Sequence, residues 1–222
     1  MTHIQRRGIT TVFGLSLALL VTPLSAQASP PPPVDESRLV PSLSPTFGSW
    51  TCRTSKDGPV CTGERHLSGD WGLFDFPCGD TQLWARGESD RYQTRYYNNE
   101  YLDSYREFRT NDIDYLATSP TGPATATIST NVRFNETFAV PGDDRTRTII
   151  THGLLWDIRS IQGSAAWRAV GTLVEAPDGD GKFTGHVTDG ARTTQYVDAP
   201  LGDVLSDDTF IGAVCAAATA DG

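Results

Sequence analysis

Ala124-Thr125-Ala126-Thr127-Ile128-Ser129-Thr130-Asn131-Val132-Arg133-Phe134-Asn135-Glu136-Thr137-Phe138-Ala139-Val140 decides the fold. Ala126, Ile128, Thr130, Val132, Phe134, Phe138 and Val140 fall in one register. Thr125, Thr127, Ser129, Asn131, Arg133, Asn135 and Thr137 fall in the other. Side chains along a strand alternate between two faces, so this pattern predicts a long strand with one buried and one wet side.

The same alternation recurs on either side. Tyr92, Thr94 and Tyr96 interleave with Arg91, Gln93 and Arg95, and further strands are expected near 82–88, 101–109, 145–158, 165–175, 182–188 and 192–197. Turn residues separate them: Asn98-Asn99, Pro120-Thr121-Gly122, Pro141-Gly142-Asp143, Asp178-Gly179-Asp180-Gly181 and Asp189-Gly190. Short links favour antiparallel neighbours, so the reading is an all-β antiparallel meander. With this many strands, closure into a barrel or a sandwich is expected because it removes exposed edges. The C-terminal stretch differs. Asp207-Asp208 precedes Phe210, Ala213, Val214 and Ala217 on one helical face, which predicts a short helix.

Residues 1–28 read as a secretory signal. Arg6 and Arg7 form the positive end, Val12 to Val21 the apolar run, and Ala26-Gln27-Ala28 the cleavage site. The apolar run stops at Thr22-Pro23, short of the ~20 residues a spanning helix needs, so no membrane anchor is expected. Six prolines between Ser29 and Pro45 make residues 29–46 an expected disordered tether, with a single β domain over 47–222. A secreted, extracellular protein is the expectation.

Cys52, Cys61, Cys78 and Cys215 are even in number, as disulfides in an oxidising compartment would be. Three pairings are possible. Cys52 and Cys61 flank the turn sequence Ser55-Lys56-Asp57-Gly58-Pro59 and can face each other across a hairpin, which leaves Cys78 for Cys215. The spacing fits no zinc or redox motif.

Phe76-Pro77-Cys78, Arg95-Tyr96-Tyr97, the Thr-rich strands and the ending Val214-Cys215-Ala216-Ala217 together resemble a family of uncharacterised secreted proteins of high-GC Gram-positive bacteria. The resemblance spans residues 47 to 218. It implies export and disulfides but no activity and no catalytic residues. Gly48-Ser49-Trp50 resembles the G-x-W that opens lipocalin-like barrels.

The formal charge of −9 and a pI near 4.8 argue against nucleic acid and anionic membrane as partners. No G-x-S-x-G signature is present, and no catalytic residue, metal site or cofactor is assigned. Asp178-Gly179-Asp180-Gly181 runs into Lys182-Phe183 rather than completing a calcium loop, so it reads as a hairpin turn. Two residues are candidate ligand-binding groups. Glu136 interrupts the apolar register between Phe134 and Phe138, which requires a cation partner, a bulge or a polar cavity. His152 follows Thr148 and Ile150 in register and is expected to point inward. The expected function is a non-enzymatic ligand-binding or interaction module suited to a small apolar ligand. The alternatives are a small enzyme with a carboxylate/His acid–base pair inside a barrel, and a structural protein without ligand.

Overall fold

The computed structural model describes residues 32–163 and 165–220. The signal reading of 1–28 and the first residues of the tether lie outside the described residues. Ten strands follow in order: β1 (Thr51–Ser55), β2 (Gly58–Ser68), β3 (Gly72–Leu73), β4 (Trp84–Tyr97), β5 (Asp103–Ala117), β6 (Ala126–Phe138), β7 (Arg147–Ser160), β8 (Ala165–Glu175), β9 (Gly181–Asp189) and β10 (Arg192–Pro200). A single helical turn, α1 (Leu201–Val204), leads into helix α2 (Asp207–Ala218). All strands belong to one antiparallel sheet in the order β1-β2-β4-β5-β6-β7-β8-β9-β10, with β3 alongside β4. The meander holds throughout.

The sheet does not close. Its path ends at β1 and β10, which are not paired with each other among the described residues, so of the expected barrel or sandwich the closed barrel is corrected: the strands form one sheet that is not closed, a sandwich or an open sheet. Its edges are blunted in other ways. The β1 edge is only five residues long, and the Thr54 hydroxyl donates to the Pro32 carbonyl at 2.9 Å. The β10 ladder is interrupted between Tyr196 and Ala199, where Asp198 turns to a φ of 50°.

One face of the sheet is covered. At one end α2 packs across β6, β7 and β8, and its Ala213, Val214, Ala217 and Ala218 join a core with Ile128, Ile158 and Trp167. The N-cap is Ser206 rather than an aspartate, its hydroxyl accepting from the Thr209 N–H at 3.2 Å. The Cys78–Cys215 disulfide anchors it, and Cys52–Cys61 staples the β1–β2 hairpin at directly opposed positions.

At the other end the cover is the segment expected to be a tether. Leu39 is buried against Cys61 and Tyr97, with Val34 and Leu43 packed beside them. The Val40 N–H donates to the Tyr101 carbonyl, and the Val40 carbonyl accepts from the Asp103 N–H. The domain therefore begins before Phe47. The few apolar residues between the prolines are enough to dock the chain, because the sheet offers both a hydrophobic surface and free backbone partners. Trp50 extends this cover over Gly63, where a Cβ would come within 2.8 Å of the indole.

Two glycines leave room for a close approach of β8 and β9. Gly171 on β8 and Gly185 on β9 are direct partners, and a Cβ on either would stand 2.3 Å from a backbone oxygen of the neighbouring strand. The Phe183 ring lies over the space they leave. A strand crossing this tightly leaves no room for a side chain.

The other face is open and polar. The alternation of β6 is obeyed: Ala126, Ile128 and Val132 are buried on the covered side, while Asn131 and Arg133 are exposed on the opposite side. Thr137, on the open side, is exposed as well.

Candidate functional site

Glu136 lies on the covered face and is 4% exposed. Its neighbour across the ladder is Arg106 of β5. The Arg106 guanidinium donates to three carboxylates: Nε to Asp103 Oδ2 at 2.6 Å, Nη1 to Glu136 Oε2 at 2.9 Å and Nη2 to Asp144 Oδ1 at 2.8 Å. Arg147 donates from Nη1 to Glu136 Oε1 at 3.3 Å, and the Phe138 ring lies 4.8 Å from the Arg106 guanidinium carbon. Both Glu136 oxygens are thus engaged by arginines. A buried charge held this way is a structural ion, whose cost of desolvation is offset by its partners.

Asp103 is the strained member of this network. It is fully buried, and its Oδ1 has no partner among the described residues. Burial pushes its carboxyl up from the usual range, Asp144 adds to this, and Arg106 and Arg95 offset only part. The folded protein therefore holds this proton more tightly than the unfolded chain. The resulting stabilisation is present in full below the ordinary aspartate value of 3.8 and is lost as pH rises through the raised value. In denaturant unfolding at a series of pH values, the stability of the wild type relative to Asp103→Asn should fall as pH rises above about 4. A difference independent of pH, or one that grows, contradicts the raised proton affinity.

His152 is on the open face. It stands opposite Arg133 on one side and Thr172 on the other, is exposed, and shares a hydrogen bond of 2.8 Å between its Nδ1 and the Thr172 hydroxyl. The inward expectation is corrected. Ile149 and Ile150 are both apolar, and the structure puts Ile149, not Ile150, in the Glu136 row on the covered side. Glu136 and His152 are on opposite sides of the sheet, so they form no acid–base pair.

The covered face nonetheless holds a groove that neither residue signals. It lies over the middle strands, between the two covers, with a volume of about 390 Å³. Val132, Phe134, Leu155, Trp156 and Leu173 form its apolar part, and Leu201 of α1 contributes to the wall. A bulge in β7 between Leu154 and Trp156 brings Leu155 and Trp156 both into the lining. The polar part is Arg91, Thr110 and Asp112 on β4 and β5, with Thr130, Thr151 and Glu175 on β6, β7 and β8. Arg91 stands directly opposite Thr110, and its Nη2 donates to Asp112 Oδ2 at 3.0 Å.

These polar groups are incompletely bonded. Arg91 Nε, Thr110 Oγ1 and Asp112 Oδ1 are buried atoms without a hydrogen-bond partner among the described residues, and Ser89 Oγ and Gln93 Oε1 on the same side of β4 add two more. Native structures leave few such groups, and a local concentration calls for a bound partner. Thr110 is 6% exposed, so its hydroxyl has no bulk solvent to turn to. Asp114, two residues beyond Asp112, is pushed up by burial and by the Asp112 charge, but it does not line the groove. The two aspartates therefore do not converge on one space.

The chain matches no protein-family model, no curated protein and no solved structure. The site stands on its own geometry.

Proposed function

We propose that this protein is an exported, non-enzymatic binding module whose groove on the covered face takes a small amphiphile. The observation that carries the reading is the cluster of unpartnered buried groups, Arg91 Nε, Thr110 Oγ1 and Asp112 Oδ1, at the edge of an apolar surface. Arg91 and Asp112 neutralise each other and Glu175 adds a further carboxylate to the lining, which excludes an anionic head group and suits a neutral one that donates as well as accepts. It accepts from Arg91 Nε and donates to Asp112 Oδ1, as an amide or a hydroxyl can. The apolar body lies along Val132, Phe134 and Leu173 and meets the Trp156 ring. Export rests on the leader reading of residues 1–28 and agrees with the two disulfides, which belong to an oxidising compartment. Release to the exterior is the accompanying proposal, in keeping with the resemblance to secreted proteins of high-GC Gram-positive bacteria.

The test is titration with N-alkylacetamides of increasing chain length, followed by NMR shifts of the Trp156 indole and the Thr110 amide. Affinity should rise about three- to fourfold per methylene until the groove is filled, following ~0.8 kcal/mol for each buried CH₂. Thr110→Val should weaken binding about fivefold, near 1 kcal/mol, while leaving the fold intact. Shifts spread over the whole surface, or equal affinity in Thr110→Val, would overturn the assignment. In that case the unpartnered atoms serve only bound water.

A further inference from the structure

The open face carries a second feature, independent of the groove. Arg109 of β5 and Arg133 of β6 are direct cross-strand partners, and both are exposed. Like charges directly opposite on a sheet destabilise it. Neither guanidinium has a carboxylate or hydrogen-bond partner among the described residues, although arginines elsewhere in the sheet do. They sit in one row with Tyr92, 55% exposed, on one side and His152 on the other. The row crosses the middle of a depression of about 950 Å³.

The rows above and below are of a different kind. Asn111 and Asn131 face each other on one side with Asp90 beyond Asn111, Glu107 and Asn135 lie on the other, and Glu64 follows Tyr92 at the end of the central row. Both pairs line the same depression. An anion in the centre is therefore surrounded by acceptors and amides. A dense polyanion or an acidic peptide would bring further carboxylates against Glu107, Asp90 and Glu64, whereas a single carboxylate can sit on the two arginines alone. A sugar hydroxyl, by contrast, donates to a carboxylate and both donates to and accepts from an amide. The exposed face of Tyr92 completes a surface against which a pyranose ring can lie.

We propose that the open face binds an acidic glycan, with one uronic-acid carboxylate held between Arg109 and Arg133 and the neighbouring sugar hydroxyls on Asn111, Asn131, Glu107 and Asn135. Planar guanidinium pairs suit a carboxylate because each offers two parallel N–H donors. Residues in the groove of the covered face take no part. This site and that one can fail separately.

The experiment is calorimetric titration of the full chain with an oligosaccharide alternating uronic acid and N-acetylhexosamine. Three controls are its carboxyl-reduced neutral form, neutral dextran and polyaspartate. The acidic oligosaccharide should bind, the carboxyl-reduced form at least tenfold more weakly, and dextran and polyaspartate not measurably. Arg109→Gln and Arg133→Gln should each lose at least tenfold, with melting temperatures equal to or above the wild type because the like-charge contact is relieved. Raising salt should weaken binding through the exposed ion pairs. Equal binding of the reduced form, preferential binding of polyaspartate, unchanged affinity in Arg109→Gln and Arg133→Gln, or no binding of the acidic oligosaccharide each overturns the proposal.

Discussion

Replacing Arg106 with methionine is expected to lower the free energy of unfolding by about 3–5 kcal/mol, the usual cost of removing one partner from a buried ion pair. Arg106 is 6% exposed and serves Asp103, Glu136 and Asp144 together. Without it, Asp103 and Glu136 remain buried, and only Arg147 is left to compensate Glu136. Urea unfolding checks this, with Glu136→Gln as a milder companion. Glu136→Gln keeps the shape and loses the charge, so it should cost about 1–3 kcal/mol. A triple change, Arg106→Met with Asp103→Leu and Glu136→Met, should recover much of the loss, since buried ion networks are often replaceable by apolar groups of similar size. An Arg106→Met variant as stable as the wild type would mean that the network is not the anchor of this corner.

The corner matters because it joins separate parts of the chain. Asp103 follows the Tyr97–Leu102 turn, Asp144 lies in the β6–β7 connection, and the backbone of Asp103 is bonded to Val40 of the N-terminal cover. Loss of Arg106 should therefore release the cover before the sheet melts. In hydrogen exchange, the Val40 amide should lose protection first.

Breaking the Cys78–Cys215 bond is the second large effect expected. Its cysteines are 137 residues apart in sequence, against 9 for Cys52–Cys61. In the chain-entropy model a closed loop of that length contributes on the order of 4–5 kcal/mol, and the short hairpin loop clearly less. The double variant Cys78→Ala with Cys215→Ala should thus unfold at markedly lower urea concentration. The matching change at Cys52 and Cys61 should shift the midpoint far less. Equal shifts would show that the long bond acts through local packing of α2 and not through the unfolded chain.

The strands, the turns, the disulfide pairing and the helix were legible because each has a local signal. The alternation in β6 needs only neighbours two apart, and the Cys52–Cys61 turn needs only its own residues. What was not legible depends on chain segments meeting from afar. Between Thr110 and Asp114 the covered-side positions of β5 are polar, so the strand could be read only to Arg109, although it runs to Ala117. Two of those polar positions, Thr110 and Asp112, line the groove, and so the feature that hid the strand end also hid the site. The Pro-rich segment looked too polar to dock, because its partners Cys61 and Tyr97 lie on other strands. Glu136 reads from its register as a carboxylate on a buried face, yet nothing local says that its cation is Arg106, 30 residues earlier. His152 was misdirected by Ile149-Ile150, where both phases of the alternation are apolar.

The position of the long disulfide also governs how the protein would respond to being pulled. A load applied at the two ends passes from Cys78 directly to Cys215, and the sheet from β4 to β10 lies outside the line of force. Seven consecutive strands are thereby shielded. Among the described residues, only the N-terminal cover, β1 to β3 and the residues that follow Cys215 would yield under tension. Reduction of that single bond would add roughly 470 Å of chain to the reachable length. Under such a load the described fold would behave as a short, stiff body while the bond is oxidised and as a long, extensible chain once it is reduced.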